Sequence, residues 1–123
     1  MAAKSRRTAE KRFKALFRVY RGNEIALGPG KIELLGHIAK TGSISEAARR
    51  MEMSYNRAWL LVRTMNRCFK EPLVLSSRGG EKHGGAQLTK PGREVLRLYQ
   101  QLERKFDSAT GKAVREILAQ LKG

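Results

Sequence analysis

The sequence predicts a mainly α-helical fold with one small β-hairpin, and two patterns indicate it. Apolar residues recur every three or four positions over much of residues 31–121, which is the period of an amphipathic helix. A glycine-rich segment over residues 79–85 separates two short apolar runs, as in a hairpin with a long tip. With 123 residues and an apolar content of 41%, the chain is long enough for one domain with a hydrophobic core.

The residues before the first helix predict an arm followed by β structure. Residues 1–12 are polar and charged, which is typical of a flexible basic arm. From Phe13 to Leu27 the apolar residues fall mostly on odd positions, the period of a half-buried strand. Gly22-Asn23 is a turn signal within this stretch. We therefore expect one bent strand or a small hairpin.

Four helical segments follow the break at residues 28–30. The first is expected at about 31–40, the second at 45–51 with Ser45 as N-cap, and the third at 55–69 with Ser54 as N-cap. A fourth, long helix starts near Pro91 after the cap Thr89, and we expect Gly111 to interrupt it before a last piece over 112–121.

The order of these elements predicts a winged helix-turn-helix. Two helices joined by a tight turn and followed by a hairpin, here the runs 73–75 and 86–89, are that arrangement. We assign residues 13–89 to it, and residues 90–123 to a long dimerisation helix with a C-terminal helical extension.

Charge indicates a polyanionic partner. Twenty-six basic residues against eleven acidic ones give a net charge of +15, and such a chain repels itself unless a polyanion binds. Residues 1–22 carry eight basic and one acidic residue, and residues 31–70 carry eight and three. Nucleic acid is the first candidate and an anionic membrane the second, with a merely basic protein as the alternative.

Several other classes of protein are disfavoured. The single cysteine, Cys68, allows no internal disulfide, and no apolar run approaches the roughly 20 residues of a membrane span. The two histidines, His37 and His83, are far apart and form no metal set or nucleophile–base pair with the other residues. We therefore expect no enzyme, no metal and no cofactor, and a cytoplasmic, nucleoid-associated protein.

The third helix carries the candidate base-reading residues. Its first turn can hydrogen-bond, since arginine pairs with guanine and asparagine with adenine in the major groove. The side chains expected there are Ser54, Tyr55, Asn56 and Arg57, with Arg63 and Arg67 on the same polar side. Ordinary solvated positions are the alternative. Trp59 falls at the edge of the core, where packing in the core or on the second helix is favoured over base stacking. Leu60 falls on the polar side without an explanation from the sequence.

The glycine-rich segment is the candidate wing. Glycines let a backbone approach a surface closely, and Arg78, Lys82 and His83 supply positive charge. A nucleotide-phosphate loop is the rival interpretation, but no GK[ST] follows, as a Walker motif requires. A plain loop tip is the other alternative.

Three sequence blocks carry a family resemblance. GSISEAARRMEMSYNRAWLLVRTMNR (Gly42 to Arg67), EPLV and GG…GGAQLTKPG occur in the order found in the N-terminal domain of ModE-type molybdate-responsive transcription regulators, which is related to LysR-type regulators. The chain resembles that domain over roughly Pro29 to Lys105.

The resemblance implies a homodimer on a palindromic promoter site in double-stranded DNA. The DNA-facing residues are then Ser43, Ser45, Ser54, Tyr55, Asn56, Arg57, Arg63, Arg67 and the wing residues Arg78, Gly79, Gly80, Lys82 and His83. Dimerisation is implied through the long helix, at Val95, Leu98, Tyr99, Leu102 and Phe106.

Two departures from the ModE pattern bear on function. The chain ends at Gly123 where ModE proteins continue into oxyanion-binding domains, so we expect no direct molybdate binding. Leu75-Ser76 replaces the Glu-Arg pair usual in the wing, and Arg78 is the candidate to supply that phosphate contact.

A sequence-neutral architectural DNA- or RNA-binding protein is the first alternative function, and a protein-interaction module is the second.

Overall fold

The structure is a computed structural model that describes residues 9–77 and 85–123. Its elements are β1 (Val19–Arg21), β2 (Glu24–Leu27), α1 (Pro29–Thr41), α2 (Ile44–Arg50), α3 (Tyr55–Cys68), β3 (Val74–Ser76), β4 (Ala86–Leu88) and α4 (Lys90–Ala119). This confirms the predicted mainly helical fold with a small antiparallel hairpin and a long C-terminal helix. By contacts the chain forms two units, one of Leu16–Gln101 and one of Leu102–Gly123 with the described residues up to Ala15.

The core of the larger unit is formed by α1, α2, α3 and the two hairpins. Leu34, Leu35, Ile38, Val62 and Met65 are fully buried there. The helical period of the sequence puts Ala39 on one apolar stripe with Ile32, Leu35 and Ile38, but Ala39 is exposed, and Leu34 is buried outside that stripe. The buried face is wider than one stripe because α1 contacts α2, α3, β2 and β4.

The start of α2 differs from the prediction by two residues. Ser43, not Ser45, is the N-cap, and its Oγ accepts a hydrogen bond from the backbone N–H of Glu46 at 3.0 Å. The spacing Ser43-x-x-Glu46 is that of a capping box, which the sequence already contained. Ser45 therefore lies inside the first turn of the helix.

The predicted strand is wrong for residues 13–18, since the first strand begins at Val19. β1 and β2 form the small hairpin that was the other possibility, with Gly22 at φ +63° in its turn. Phe17 takes part in side-chain packing, because its ring meets Tyr99 edge-on and its carbonyl accepts the Tyr99 hydroxyl at 2.6 Å. Apolar side chains that pack in this way give residues 13–18 the two-residue period of a strand, although these residues form no strand.

The last helix, α4, runs continuously over 30 residues, so the predicted break at Gly111 is wrong. A glycine costs about 1 kcal/mol relative to alanine inside a helix, which is too little to end a helix continued on both sides. Thr89 caps α4 as predicted, because its Oγ1 accepts from the Gly92 N–H at 2.9 Å. The same hydroxyl donates to the Pro72 carbonyl at 2.7 Å and so ties the helix start to the segment before β3.

Candidate nucleic-acid interface

Helix α3 divides into a buried face and an exposed, cationic face. Ala58, Val62 and Met65 are fully buried on one side. The exposed residues on the other side are Asn56, Arg57, Leu60, Arg63 and Arg67, and the helix contains no acidic residue. We call these five residues the outer face of α3. Such a surface has the polarity and charge to enter the major groove of a duplex.

The beginning of α3 is fixed by its cap and by the turn before it. Ser54 Oγ accepts from the Arg57 N–H at 3.0 Å, as the sequence predicted. The turn from α2 is tight, because Glu52 adopts φ +57° and the Met53 N–H bonds the Ala48 carbonyl at 3.0 Å. Helix α2 packs against α3 through this turn, which makes the helix-turn-helix.

Four predicted residues near the turn are partly buried. Ser43 and Ser45 belong to the beginning of α2, and the Ser43 hydroxyl is engaged in capping. Tyr55 and Trp59 pack against the core, which agrees with the expectation for Trp59. Of the residues near the start of α3 that are predicted to read bases, Ser54, Asn56 and Arg57 are exposed, and Ser54 Oγ is engaged in capping.

At the other end of α3, Arg67 is held by Glu24 of β2. The Arg67 guanidinium donates to one Glu24 carboxylate oxygen, and the Cys68 thiol donates to the other at 3.4 Å. The hydrogen bond from Arg67 is the main cause that lowers the Glu24 pKa below its usual value, with a smaller part from Cys68. Sequence reasoning missed this pair because the two residues are 43 positions apart.

A further cation, Lys31, lies close enough to this region to respond to its charges. Burial lowers the Lys31 pKa, and the charge of Arg57 lowers it further, against the opposing influence of Cys68 and Glu24. Lys31 was not predicted as a site residue. Its position in the first turn of α1, with no acidic residue in that turn, was the available signal.

The base of the candidate wing is bonded to α3 by one side chain. Asn66 Oδ1 accepts from the N–H groups of Leu73 and Val74, at 2.8 and 3.1 Å, and Nδ2 donates to the Val74 carbonyl at 3.0 Å. Sequence reasoning missed Asn66 because an asparagine late in a helix looks like any solvated position. These three bonds fix the position of the start of β3 relative to α3.

Strands β3 and β4 pair antiparallel, with Val74 opposite Leu88 and Ser76 opposite Ala86. Beyond the strands, the Ser77 N–H bonds the Gly85 carbonyl at 2.7 Å, and the Gly85 N–H bonds Ser77 Oγ at 3.0 Å. The remaining predicted wing residues, Arg78, Gly79, Gly80, Lys82 and His83, lie outside the described residues.

The residues predicted for dimerisation differ in exposure. In the larger unit Tyr99 is only 4% exposed, Val95 packs against the core, and Leu98 is 47% exposed. In the smaller unit Leu102 is 46% exposed, and the Phe106 ring stacks on Phe13 with 6.2 Å between centroids.

Residues 9–77 and 85–123 contain neither a candidate metal cluster nor a candidate membrane span. Their histidine, cysteine and acidic side chains form no group of three or more that could hold a metal ion. None of the helices described there combines the length and the apolar character needed to cross a bilayer.

Comparison with known families identifies the domain. Residues 30–93, from the start of α1 into α4, match the model of the bacterial regulatory helix-turn-helix proteins of the LysR family. The chain belongs to this LysR family of regulatory proteins. The match contains α2, α3 and the described part of the candidate wing, so the LysR-type DNA-binding domain includes the outer face of α3.

Within the LysR family the chain is similar to ModE proteins. It is 43% identical over 84 residues to the molybdenum transport protein ModE of Azotobacter vinelandii, which is 68% of this chain and 31% of that protein. It is 42% identical over 71 residues to the DNA-binding transcriptional dual regulator ModE of Escherichia coli K12. These 71 residues are 58% of this chain and 27% of that protein. The chain thus matches less than a third of the length of each relative.

A similar fold is also found among solved structures. ArgP from Mycobacterium tuberculosis superposes with a TM-score of 0.52 over 69% of this chain and 30% of that protein. The sequence identity is 19%, so this likeness concerns the fold alone.

Proposed function

We propose that the chain is a ModE-type transcription regulator that binds a specific promoter sequence in double-stranded DNA. The observation that carries this proposal is the outer face of α3, which presents three arginines and one asparagine on a capped helix that contains no acidic residue. The relatives are named for molybdenum transport and for transcriptional regulation, so we infer that the promoter serves molybdenum handling.

Each part of the interface has a role in this proposal. Asn56 and Arg57 contact base edges near the N-terminal end of α3, where recognition helices usually read sequence. Arg63 and Arg67 contribute the positive charge that attracts the duplex, while Ser43, Ser45, Ser54 and Tyr55 contact phosphates. We expect the basic residues of the candidate wing, Arg78, Lys82 and His83, to add positive charge that attracts the DNA backbone. Because a promoter regulator acts on the chromosome, we propose that the protein works in the bacterial cytoplasm. Its proposed role is binding, with no catalytic step.

A homodimer would give the regulator two equivalent recognition helices. Leu98 and Leu102 are exposed apolar residues four positions apart in one helix, which is the spacing of an interhelical seam. Val95 and Tyr99 in the larger unit and Phe106 in the smaller unit are the other residues that we expect to contribute to dimerisation. Leu98→Glu is expected to shift sedimentation from dimer to monomer, whereas Glu94→Gln leaves the dimer intact. A variant that remains dimeric contradicts this seam.

The proposed function is tested by selecting binding sites from a random pool of duplex DNA. We expect enrichment of a palindrome whose half-sites are one helical turn apart, about 10–10.5 base pairs, or a multiple of it. Binding to the selected site should weaken about 10³- to 10⁵-fold between about 50 and 200 mM salt if about six to ten phosphates are neutralised. A pool that remains unenriched, with every duplex bound equally, would favour the sequence-neutral architectural alternative, for which the net charge of +15 would suffice.

A further inference from the structure

Leu60 is the residue of α3 that points most directly away from the core. Its exposed fraction is 58%, although it is a leucine within a folded helix. At 3.6 residues per turn, Arg67 lies about 20° and Asn56 about 40° from the direction of Leu60. Arg57 and Arg63 lie about 60° to either side, and the buried Ala58 and Val62 lie about 160° away. Leu60 is thus the centre of the outer face.

The position of Leu60, rather than its exposure, carries meaning. Single exposed leucines are ordinary on protein surfaces. The residues around this one are all polar or cationic, however, and they form the face that we propose to enter the groove. A helix that inserts this face brings its central residue closest to the base edges. Leu60 therefore meets the floor of the groove rather than the phosphates.

The chemistry of the groove decides what Leu60 can recognise there. Base edges in the major groove present hydrogen-bond donors and acceptors, and thymine adds the one apolar group, its C5-methyl. A leucine against the edge of a G·C pair removes water from polar atoms without replacing their hydrogen bonds, which is unfavourable. Against a thymine methyl it buries apolar surface instead.

We propose that Leu60 is a specificity-determining residue that reads the C5-methyl group of a thymine in each half-site. This inference rests on the proposed function, because it needs α3 in the major groove. Asn56 lies four residues before Leu60, or about 6 Å along the helix axis, and stacked base pairs are about 3.4 Å apart. The thymine is therefore within about two base pairs of the base that Asn56 contacts.

Replacement of thymine by uracil tests this role, because deoxyuridine differs from thymidine only in lacking the C5-methyl. Each thymine of the selected site is replaced in turn, in both half-sites. Affinities are then measured for the wild type, Leu60→Ala, Leu60→Met and Leu121→Ala. Leu121 is the matched control, an exposed leucine near the C-terminus that is 49% exposed. Circular dichroism checks that each variant is folded.

At one thymine of each half-site, we expect the wild type to lose about fourfold in affinity per methyl removed. Leu121→Ala and the conservative Leu60→Met should also bind more weakly when this thymine is replaced by uracil. Leu60→Ala should bind the thymine duplex and the uracil duplex equally. If Leu60→Ala keeps the full sensitivity of the wild type at every thymine, or if the wild type has no sensitive thymine, this proposal is wrong while the proposed function stands. If the wild type selects no site at all, both proposals fail together.

Discussion

The carboxylate of Glu24, in the small N-terminal hairpin, accepts a hydrogen bond from the guanidinium of Arg67 at the C-terminal end of the recognition helix. This contact ties β2 to α3 and partly neutralises one of the arginines on the outer face. Arg57 and Arg63 form no ion pair with the described residues, and Arg57 lies in the first turn of α3, which we propose to read bases.

The Glu24–Arg67 pair makes stability depend on pH below neutrality. The Glu24 pKa in the folded protein is lower than its usual value of 4.5, so the pair stabilises the fold above pH 4.5 and is lost as the pH falls through the lowered value. We expect the melting temperature of Glu24→Gln to lie below that of the wild type near pH 7 and to meet it in acid. Glu103→Gln is the control for loss of one exposed charge. If the melting temperatures of the wild type and Glu24→Gln differ by the same amount at every pH down to about pH 3, this account is wrong.

Arg57 is expected to contribute to recognition and little to folding. Its side chain is exposed, and Arg57→Ala should weaken binding to the selected site by about 1–3 kcal/mol and relax the preference for one base pair. Arg104→Ala removes the same charge from an exposed position on α4 and provides the matched control. Titrations of both variants against selected and altered duplexes measure the difference. Equal losses for the two variants would show a contribution from net charge alone.

Asn66 is expected to be important for stability because it holds the base of the wing. Asn66→Ala removes three hydrogen bonds to Leu73 and Val74, and at about 0.5–1.5 kcal/mol each we expect a loss of about 2–4 kcal/mol in the free energy of unfolding. Asn66→Asp keeps the two acceptor bonds and should lose less. Asn56→Ala, at an exposed position of the same helix, should leave the urea midpoint unchanged. An Asn66→Ala midpoint close to that of the wild type would refute this role.

Two glycine substitutions should have opposite signs. A Cβ at Gly92 would lie 2.1 Å from the Leu73 carbonyl oxygen, so Gly92→Ala must shift backbone atoms and should cost about 1–3 kcal/mol or more. A Cβ at Gly36, within α1, would meet no atom of the described residues within 4 Å apart from its chain neighbours and the backbone of its own helix. Gly36→Ala should therefore stabilise by about 0.5–1 kcal/mol. Thermal unfolding of both variants checks the pair, and a stabilised Gly92→Ala would show that α4 does not approach Leu73 so closely.

The sequence was sufficient for the fold where local signals agreed with one another. The caps Ser54 and Thr89 and the helical periods are each set by nearby residues, so α3 and the start of α4 were predicted correctly. The period-two pattern from Phe13 misled, because Phe17 packs against Tyr99, 82 positions away. Gly111 misled because a single glycine destabilises a helix too little to end one that continues on both sides of it.

The candidate site was predictable to a similar extent. Asn56, Arg57, Arg63 and Arg67 are exposed on one face because that face is fixed by helical geometry. The bond from Arg67 to Glu24 and those from Asn66 to the wing base depend on tertiary approach, for which the sequence holds no local signal. Leu60 was noted as an exception to the polar pattern, and its position at the centre of the outer face gives that exception a meaning.

The central claim is that the outer face of α3 distinguishes one DNA sequence from others. The most direct measurement compares the dissociation constants of the wild-type protein for its selected duplex and for a scrambled duplex of equal length and composition, at about 0.15 M salt. We expect the selected duplex to bind at least about 10³-fold more tightly, as specific regulators do. Equal dissociation constants for the two duplexes would contradict the claim.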